Sequence, residues 1–188
     1  MKLECERIAS LGDWWRVRRL YGQAFPREER KPFAIIRRMR RAGKTDVWVL
    51  RREGRFAGFA TTINGDGLIL IDYLAVEAHQ RGQGVGSAAL AALAEKYPGC
   101  GLFVEIESAF EPGDDQPERL RRRAFYERCG FRSCRTMASV FGVPMELLGS
   151  GCCVDFAAYH RFYCTHYSAW AGEHITPLAW PEEMMPHG

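Results

Sequence analysis

The chain has no run of about 18 apolar residues, the least a membrane-spanning helix needs. Its first residues, Met1-Lys2-Leu3-Glu4-Cys5-Glu6-Arg7, put acids where a secretory leader carries an apolar core. A cytoplasmic protein without membrane contact is the expectation. Seven cysteines is an odd count. Cys100, Cys129, Cys134, Cys152, Cys153 and Cys164 form no paired Cys-x-x-Cys knuckles, so free, buried thiols are expected. His160 and Cys164 lie one helical turn apart, but His166 falls off that face and no further ligand is evident, so no metal is expected. A net charge of +3 is mild, and no basic groove interleaved with aromatics stands out. Nucleic acid is therefore not an expected partner.

What is present is enough for one full domain and a small appendage: 188 residues, 47% of them hydrophobic. The organising stretch runs from Leu68 to Lys96. Leu68–Val76 is apolar and β-branched, with Asp72 as its one charge, and reads as a buried strand. The turn Glu77-Ala78-His79-Gln80 follows, then Arg81-Gly82-Gln83-Gly84-Val85-Gly86, which opens an Ala/Leu-rich helix from about Gly84 to Tyr97. Strand, glycine turn, helix is an arrangement that aims backbone N–H groups at an anion, helped by the partial positive charge of the helix end. Glycine permits close approach and positive φ.

No lysine follows these glycines, so the turn is not a P-loop. The Gly-x-Gly-x-x-Ala form of the dinucleotide fingerprint can be read from Gly84, Gly86 and Ala89, and Glu105 and Glu107 fall near the expected acidic position. The strands upstream argue otherwise. Asp46–Arg52, Arg55–Ile63 and Leu68–Val76 are joined by the short turns Glu53-Gly54 and Asn64-Gly65-Asp66-Gly67, both of hairpin type. A meander feeding the glycine turn is wrong for a dinucleotide fold, in which that turn follows the first strand.

Here the chain resembles a family. Gln80-Arg81-Gly82-Gln83-Gly84-Val85-Gly86, straight after a strand ending Leu-Ala-Val, is similar to the acyl-CoA pyrophosphate motif of the GNAT N-acetyltransferase superfamily. Ala124-Phe125-Tyr126-Glu127-Arg128-Cys129-Gly130-Phe131 resembles that family's Tyr…Gly-Phe signature. The two lie in the expected order, with the strand Leu102–Glu107 between them. The resemblance covers roughly residues 1–150 and implies an α/β (α+β) fold: a mixed central sheet of about seven strands, splayed between strands 4 and 5 and flanked by helices.

The resemblance also implies roles. Arg81, Gly82, Gln83, Gly84, Val85, Gly86 and Ser87 would cradle the pyrophosphate of acetyl-CoA, a co-substrate, chiefly through backbone N–H groups. Leu74, Ala75 and Val76 would offer main-chain groups to the pantetheine amides. Tyr126 would protonate or hydrogen-bond the departing thiolate. Glu105 is the first candidate for the base that relieves the attacking amine of its proton, by likeness to members that acetylate ribosomal-protein N-termini; Asp72 and Glu107 follow. Where the family commonly has an asparagine, this chain has Arg119, followed by Arg121-Arg122-Arg123; Arg119 is a candidate for a CoA phosphate. The implied activity is acetyl transfer to a primary amine (a small molecule, a peptide N-terminus or a lysine). The alternative is a catalytically silent CoA-binding regulatory or interaction module.

Elsewhere, Lys2–Ile8 suits a first strand, and Asp13 is placed to cap a helix over Trp14–Ala24. Lys31-Pro32 starts a second helix, to about Arg41. From Arg16 to Lys44 there are eleven Arg or Lys against two Glu. This suits either a solvated face or a steering field for an anionic ligand. Glu28 and Glu29 sit in the intervening loop, where the family often meets its acceptor. Asp115, Pro117 and Glu118 mark a helix start, and that helix runs to about Cys129. Phe131–Phe141 and Val143–Leu148 are strands. Gly149-Ser150-Gly151 reads as a linker. It divides an acetyltransferase domain, 1–149, from a C-terminal helical extension, 150–188, packed on the domain or at a homodimer contact. Within the extension Val154–Trp170 reads as one aromatic-rich helix, and Pro177–Gly188 as irregular.

Overall fold

The computed structural model describes residues 3–27 and 30–181. The chain divides into two compact units, Met1–Asn64 with Ile69–Cys100 and Gly65–Leu68 with Gly101–Gly188.

The first unit holds β1 (Leu3–Arg7), α1 (Leu11–Ala24), α2 (Phe33–Arg41), β2 (Thr45–Arg52), β3 (Arg55–Gly65), β4 (Leu68–Val76) and α3 (Val85–Lys96). The strands lie in the order β1-β2-β3-β4, with β1 and β3 antiparallel to β2. Hairpins join β2 to β3 and β3 to β4. Each turns on a non-glycine residue and a glycine with positive φ, Glu53-Gly54 and Asp66-Gly67. That is the twist-matched two-residue form. The β2–β3 ladder slips once: Leu50 faces Gly58 and Arg51 faces Phe56, so Ala57 is the extra residue of a β-bulge. One face of the strands and both early helices bury a common core of Ile8, Val17, Leu20, Tyr21, Ile36, Val47, Val49, Phe59, Tyr73 and Ala75.

Helix α1 starts three residues earlier than the sequence suggests. Its cap is Ser10, whose Oγ accepts from the Asp13 N–H at 3.0 Å. Asp13 itself is buried, and both its carboxylate oxygens lie 2.8 Å from Nη2 of Arg51. A short polar side chain before an apolar period is a cap signal wherever it falls. Here the buried ion pair took the second such residue.

The second unit holds β5 (Gly101–Glu107), α4 (Gln116–Arg128), β6 (Arg132–Val140), β7 (Val143–Ser150), α5 (Phe156–Phe162), α6 (Ala169–Gly172) and β8 (Ile175–Leu178). Its strands run in the order β5-β7-β6-β8, antiparallel throughout. Among the described residues there are thus eight strands, where about seven were expected. The added one is β8, whose second half, Pro177-Leu178, falls in the tail expected to be irregular. It pairs with β6, and its Pro177 faces Ala138, at a sheet margin where a missing N–H costs little. Nor is Val154–Trp170 one helix. Asp155 caps α5, a π-turn follows over Tyr163–Tyr167, and Ser168 turns extended and caps α6. The segment belongs to the core of this unit: the Phe103 ring of β5 packs edge-on against Phe162 at 5.2 Å and Tyr159 at 6.5 Å. Among the described residues no helix is long and apolar enough to cross a membrane.

Candidate active site

The end of β4 is set by close backbone packing. A Cβ on Gly58 would lie 2.3 Å from the Ala75 carbonyl oxygen and 3.2 Å from the Val76 Cα, so only glycine permits this approach. The bulge residue Ala57 offers its carbonyl to the Glu77 N–H at 2.9 Å, catching the chain as it leaves the strand. Ala75 is buried, while Leu74 and Val76 are half-buried.

Beyond Glu77 the chain makes one 3-10 turn, Ala78–Gln80, and then four turn residues reaching α3. Arg81 folds back, its Nε 3.1 Å from the Val76 carbonyl. Gln83 donates to the His79 carbonyl at 2.8 Å and accepts from Arg52. Gly84 precedes α3 with φ 78° and ψ 2°, a conformation costly for any residue with a Cβ. A Cβ on Gly82 or Gly84 would nevertheless meet nothing within 4 Å. The glycines are thus fixed by backbone conformation, and the space over them is open. The first bond inside α3 runs from the Ala88 N–H to the Gly84 carbonyl, at 3.0 Å. The amides of a helix's first turn have no acceptor within the helix, and its dipole adds about half a positive charge. Open space, a left-handed entry and such a helix end fit a diphosphate.

Two side chains tie β4 to the α1–α2 region. Asp72 receives Lys31 Nζ on both oxygens, at 2.6 and 2.7 Å, and Lys31 lies over the Tyr73 ring at 5.2 Å. Glu77 is paired with Arg19. Sequence reasoning offered Asp72 as a reserve base and missed Lys31; lysine and carboxylate are 41 residues apart, and nothing local links them. Glu28 and Glu29 lie outside the described residues.

In the second unit, Tyr126 sits on the last turn of α4. Its ring packs against Phe125 at 5.1 Å and Phe131 at 5.5 Å. Gly130, with φ 89°, ends the helix, and the Phe131 N–H returns to the Tyr126 carbonyl at 3.1 Å. The Tyr-to-Gly-Phe spacing is therefore a helix C-terminus that clamps the tyrosine ring. Its hydroxyl makes no hydrogen bond among the described residues. Burial pushes the phenol up to about 12, against the opposing pull of Arg122.

Glu105, on β5, accepts a hydrogen bond at Oε2 from the Tyr163 hydroxyl at 2.9 Å. Glu107 Oε2 lies 4.0 Å from Nη1 of Arg122. Arg119 is buried, and its guanidinium is engaged by its own loop. It donates to the carbonyls of Ser108 at 3.0 Å and Glu111 at 2.9 Å, and pairs with Asp115 at 3.0 Å. It holds the long β5–α4 connection in place.

Residues 43–133 match the family model described as an acetyltransferase (GNAT) domain. No curated protein matches the chain's sequence significantly. Among solved structures, a putative GNAT-family acetyltransferase from Bacteroides thetaiotaomicron is similar with TM-score 0.71 at 20% identity, over 87% of this chain and 98% of that one. An acetyltransferase from Bacillus subtilis in complex with CoA is similar with TM-score 0.59 at 16% identity, over 79% of this chain and 98% of that one. The ribosomal-protein-S18-alanine N-acetyltransferase from Escherichia coli has TM-score 0.60 at 16% identity, over 79% of this chain and 93% of that one. Identities this low speak to fold alone. The motif order and the left-handed entry to α3 agree with the GNAT acetyltransferase domain match over residues 43–133.

Proposed function

We propose that this protein is an N-acetyltransferase that moves the acetyl group of acetyl-CoA to a primary amine by direct attack in a ternary complex. The observation that carries the reading is the left-handed Gly84 at the mouth of α3, with open space above it.

Acetyl-CoA supplies an activated thioester. The chain's part is to hold and orient it. Residues Arg81 to Ser87 grip the diphosphate through main-chain N–H groups, and the backbone of Leu74 to Val76 receives the amide-bearing arm in strand fashion. Tyr126 presents its hydroxyl to the leaving sulfur. A phenol near 12 gives up its proton to a thiolate of conjugate acid about 8.5 only uphill. Tyr126 therefore acts as a hydrogen-bond donor that disperses developing charge, not as a full proton source. Glu105 takes the amine's proton, directly or through water. A lysine-like amine of pKa about 10.4 is mostly charged at neutral pH, so this step matters to rate. No cysteine is needed as an acyl carrier.

The test is calorimetry with CoA, followed by thiol release from acetyl-CoA across a panel of amines and peptides. Tight CoA binding and amine-dependent release support the reading. CoA binding without turnover for any amine would leave a binding module in its place.

A further inference from the structure

The first unit has an open cavity of about 640 Å³ against α1 and the start of α2. Its wall is built from Trp15, Arg18, Arg19, Arg27, Arg30 and Lys31. Arginines on a helix surface are ordinarily solvated and carry no message. These five cations differ because they converge on one concavity, and because that concavity shows an indole, Trp15, that is 64% exposed. Two of them are anchored. Arg19 pairs with Glu77 and lies over the Trp15 ring at 5.6 Å; Lys31 pairs with Asp72. Asp72 lies on β4 and Glu77 immediately follows it, so the cavity adjoins the strand that would carry the thioester. Arg18, Arg27 and Arg30 have no carboxylate partner among the described residues. Arg30 spends its Nε on the Pro26 carbonyl, at 3.3 Å.

We infer that this cavity receives the anionic part of the acceptor: the substrate is a primary amine that also carries a carboxylate or a phosphate. The inference rests on the N-acetyltransferase reading and narrows it. The arginine forks supply planar donors suited to either anion. Trp15 supplies a flat apolar wall for the carbon frame between anion and amine. The field of the cluster gathers such ligands from solution. A polyamine, cationic at neutral pH, or a basic peptide would be repelled from the same wall.

Two matched pairs test this: the tripeptide Ala-Glu-Glu against Ala-Gln-Gln, and phosphoethanolamine against ethanolamine. The expected result is that kcat/KM favours the acidic member of at least one pair by about tenfold. The pair that responds tells carboxylate from phosphate. The preference should shrink as salt rises from about 0.05 to about 0.3 M. It should vanish in the Arg18→Ser/Arg27→Ser double variant and partly survive as Arg18→Lys/Arg27→Lys, with CoA affinity unchanged in both. Turnover of neutral members as fast as acidic ones overturns the inference and leaves the acetyltransferase standing. If no amine is acetylated, the broader reading fails, and tryptophan fluorescence titrated with triglutamate and with inorganic phosphate still decides on the cavity. A response present in the parent and lost in both Trp15→Phe and the serine double variant supports an anion site. Absence of any response removes it.

Discussion

The Tyr163 hydroxyl donates a hydrogen bond to Oε2 of Glu105 at 2.9 Å, linking the proposed base to the C-terminal π-turn. The strand alone does not fix this carboxylate; a residue 58 positions later does. Tyr163→Phe should therefore cost about 1–2 kcal/mol of stability. It should lower kcat several-fold while the KM for acetyl-CoA stays put, because the cofactor grip lies elsewhere. Urea titration and steady-state kinetics check both parts. An unchanged kcat would mean that Glu105 needs no anchor or has no role.

Tyr126→Phe separates chemistry from packing. The ring contacts with Phe125 and Phe131 survive the change, and the hydroxyl makes no hydrogen bond among the described residues. Stability should stay within about 0.5 kcal/mol, while kcat falls roughly ten- to a hundredfold, the modest range expected for a thiol leaving group. A large loss of stability would show that the hydroxyl is structural.

The elements around the glycine turn were legible because their signals are local. The β2–β4 hairpins, the breaker at Pro98-Gly99 and the Ala/Leu run of α3 all come within a residue or two of their observed bounds. What was not legible was set by distant partners. Asp13 looks like a cap in sequence, but Arg51, 38 residues away, holds it inside. Arg119 looks like one more arginine of a basic helix, yet it is the clasp of the loop before it. The helical period of Val154–Trp170 hid a π-turn. Its readable marker was Ser168, a cap residue inside an otherwise helical run.

Alkaline pH should weaken the fold in a defined window. Burial is the first cause that pushes the phenols of Tyr21, Tyr97 and Tyr126 up to about 12. In the unfolded chain they ionise near 10. Below about pH 10 both states hold these protons and stability does not depend on them. Above it the unfolded state loses protons first, so stability falls until the folded phenols ionise near 12. Urea midpoints measured from about pH 8 to about pH 11 should be flat and then drop, and Tyr21→Phe should lessen the slope. A drop that begins below pH 9 would point to other groups.

Gly84 and Gly99 share a φ of +78°, and a Cβ at either meets nothing within 4 Å. Alanine at either site should cost a similar amount, on the order of 1 kcal/mol, for backbone strain alone. Only Gly84→Ala should weaken CoA, by about tenfold or more, since it alone turns the chain into the proposed diphosphate grip. Paired calorimetry and urea unfolding read the two effects separately. Equal CoA affinity in both variants would remove Gly84 from the site.

Gly58→Ala tests whether the end of β4 must sit where it does. The new methyl would fall 2.3 Å from the Ala75 carbonyl oxygen, and backbone cannot step aside as a side chain can. Either β4 moves outward or the bulge at Ala57 unwinds, and both disturb the Glu77 amide held by the Ala57 carbonyl at 2.9 Å. The expected cost is about 1–3 kcal/mol of stability. CoA binding should weaken too, although residue 58 lies on β3, outside the turn that would hold the diphosphate. Fluorescence-detected unfolding gives the first quantity and calorimetry the second. A destabilised protein with intact CoA affinity would mean that the turn keeps its shape without the strand. In that case the register of β4 would serve folding and not ligand binding.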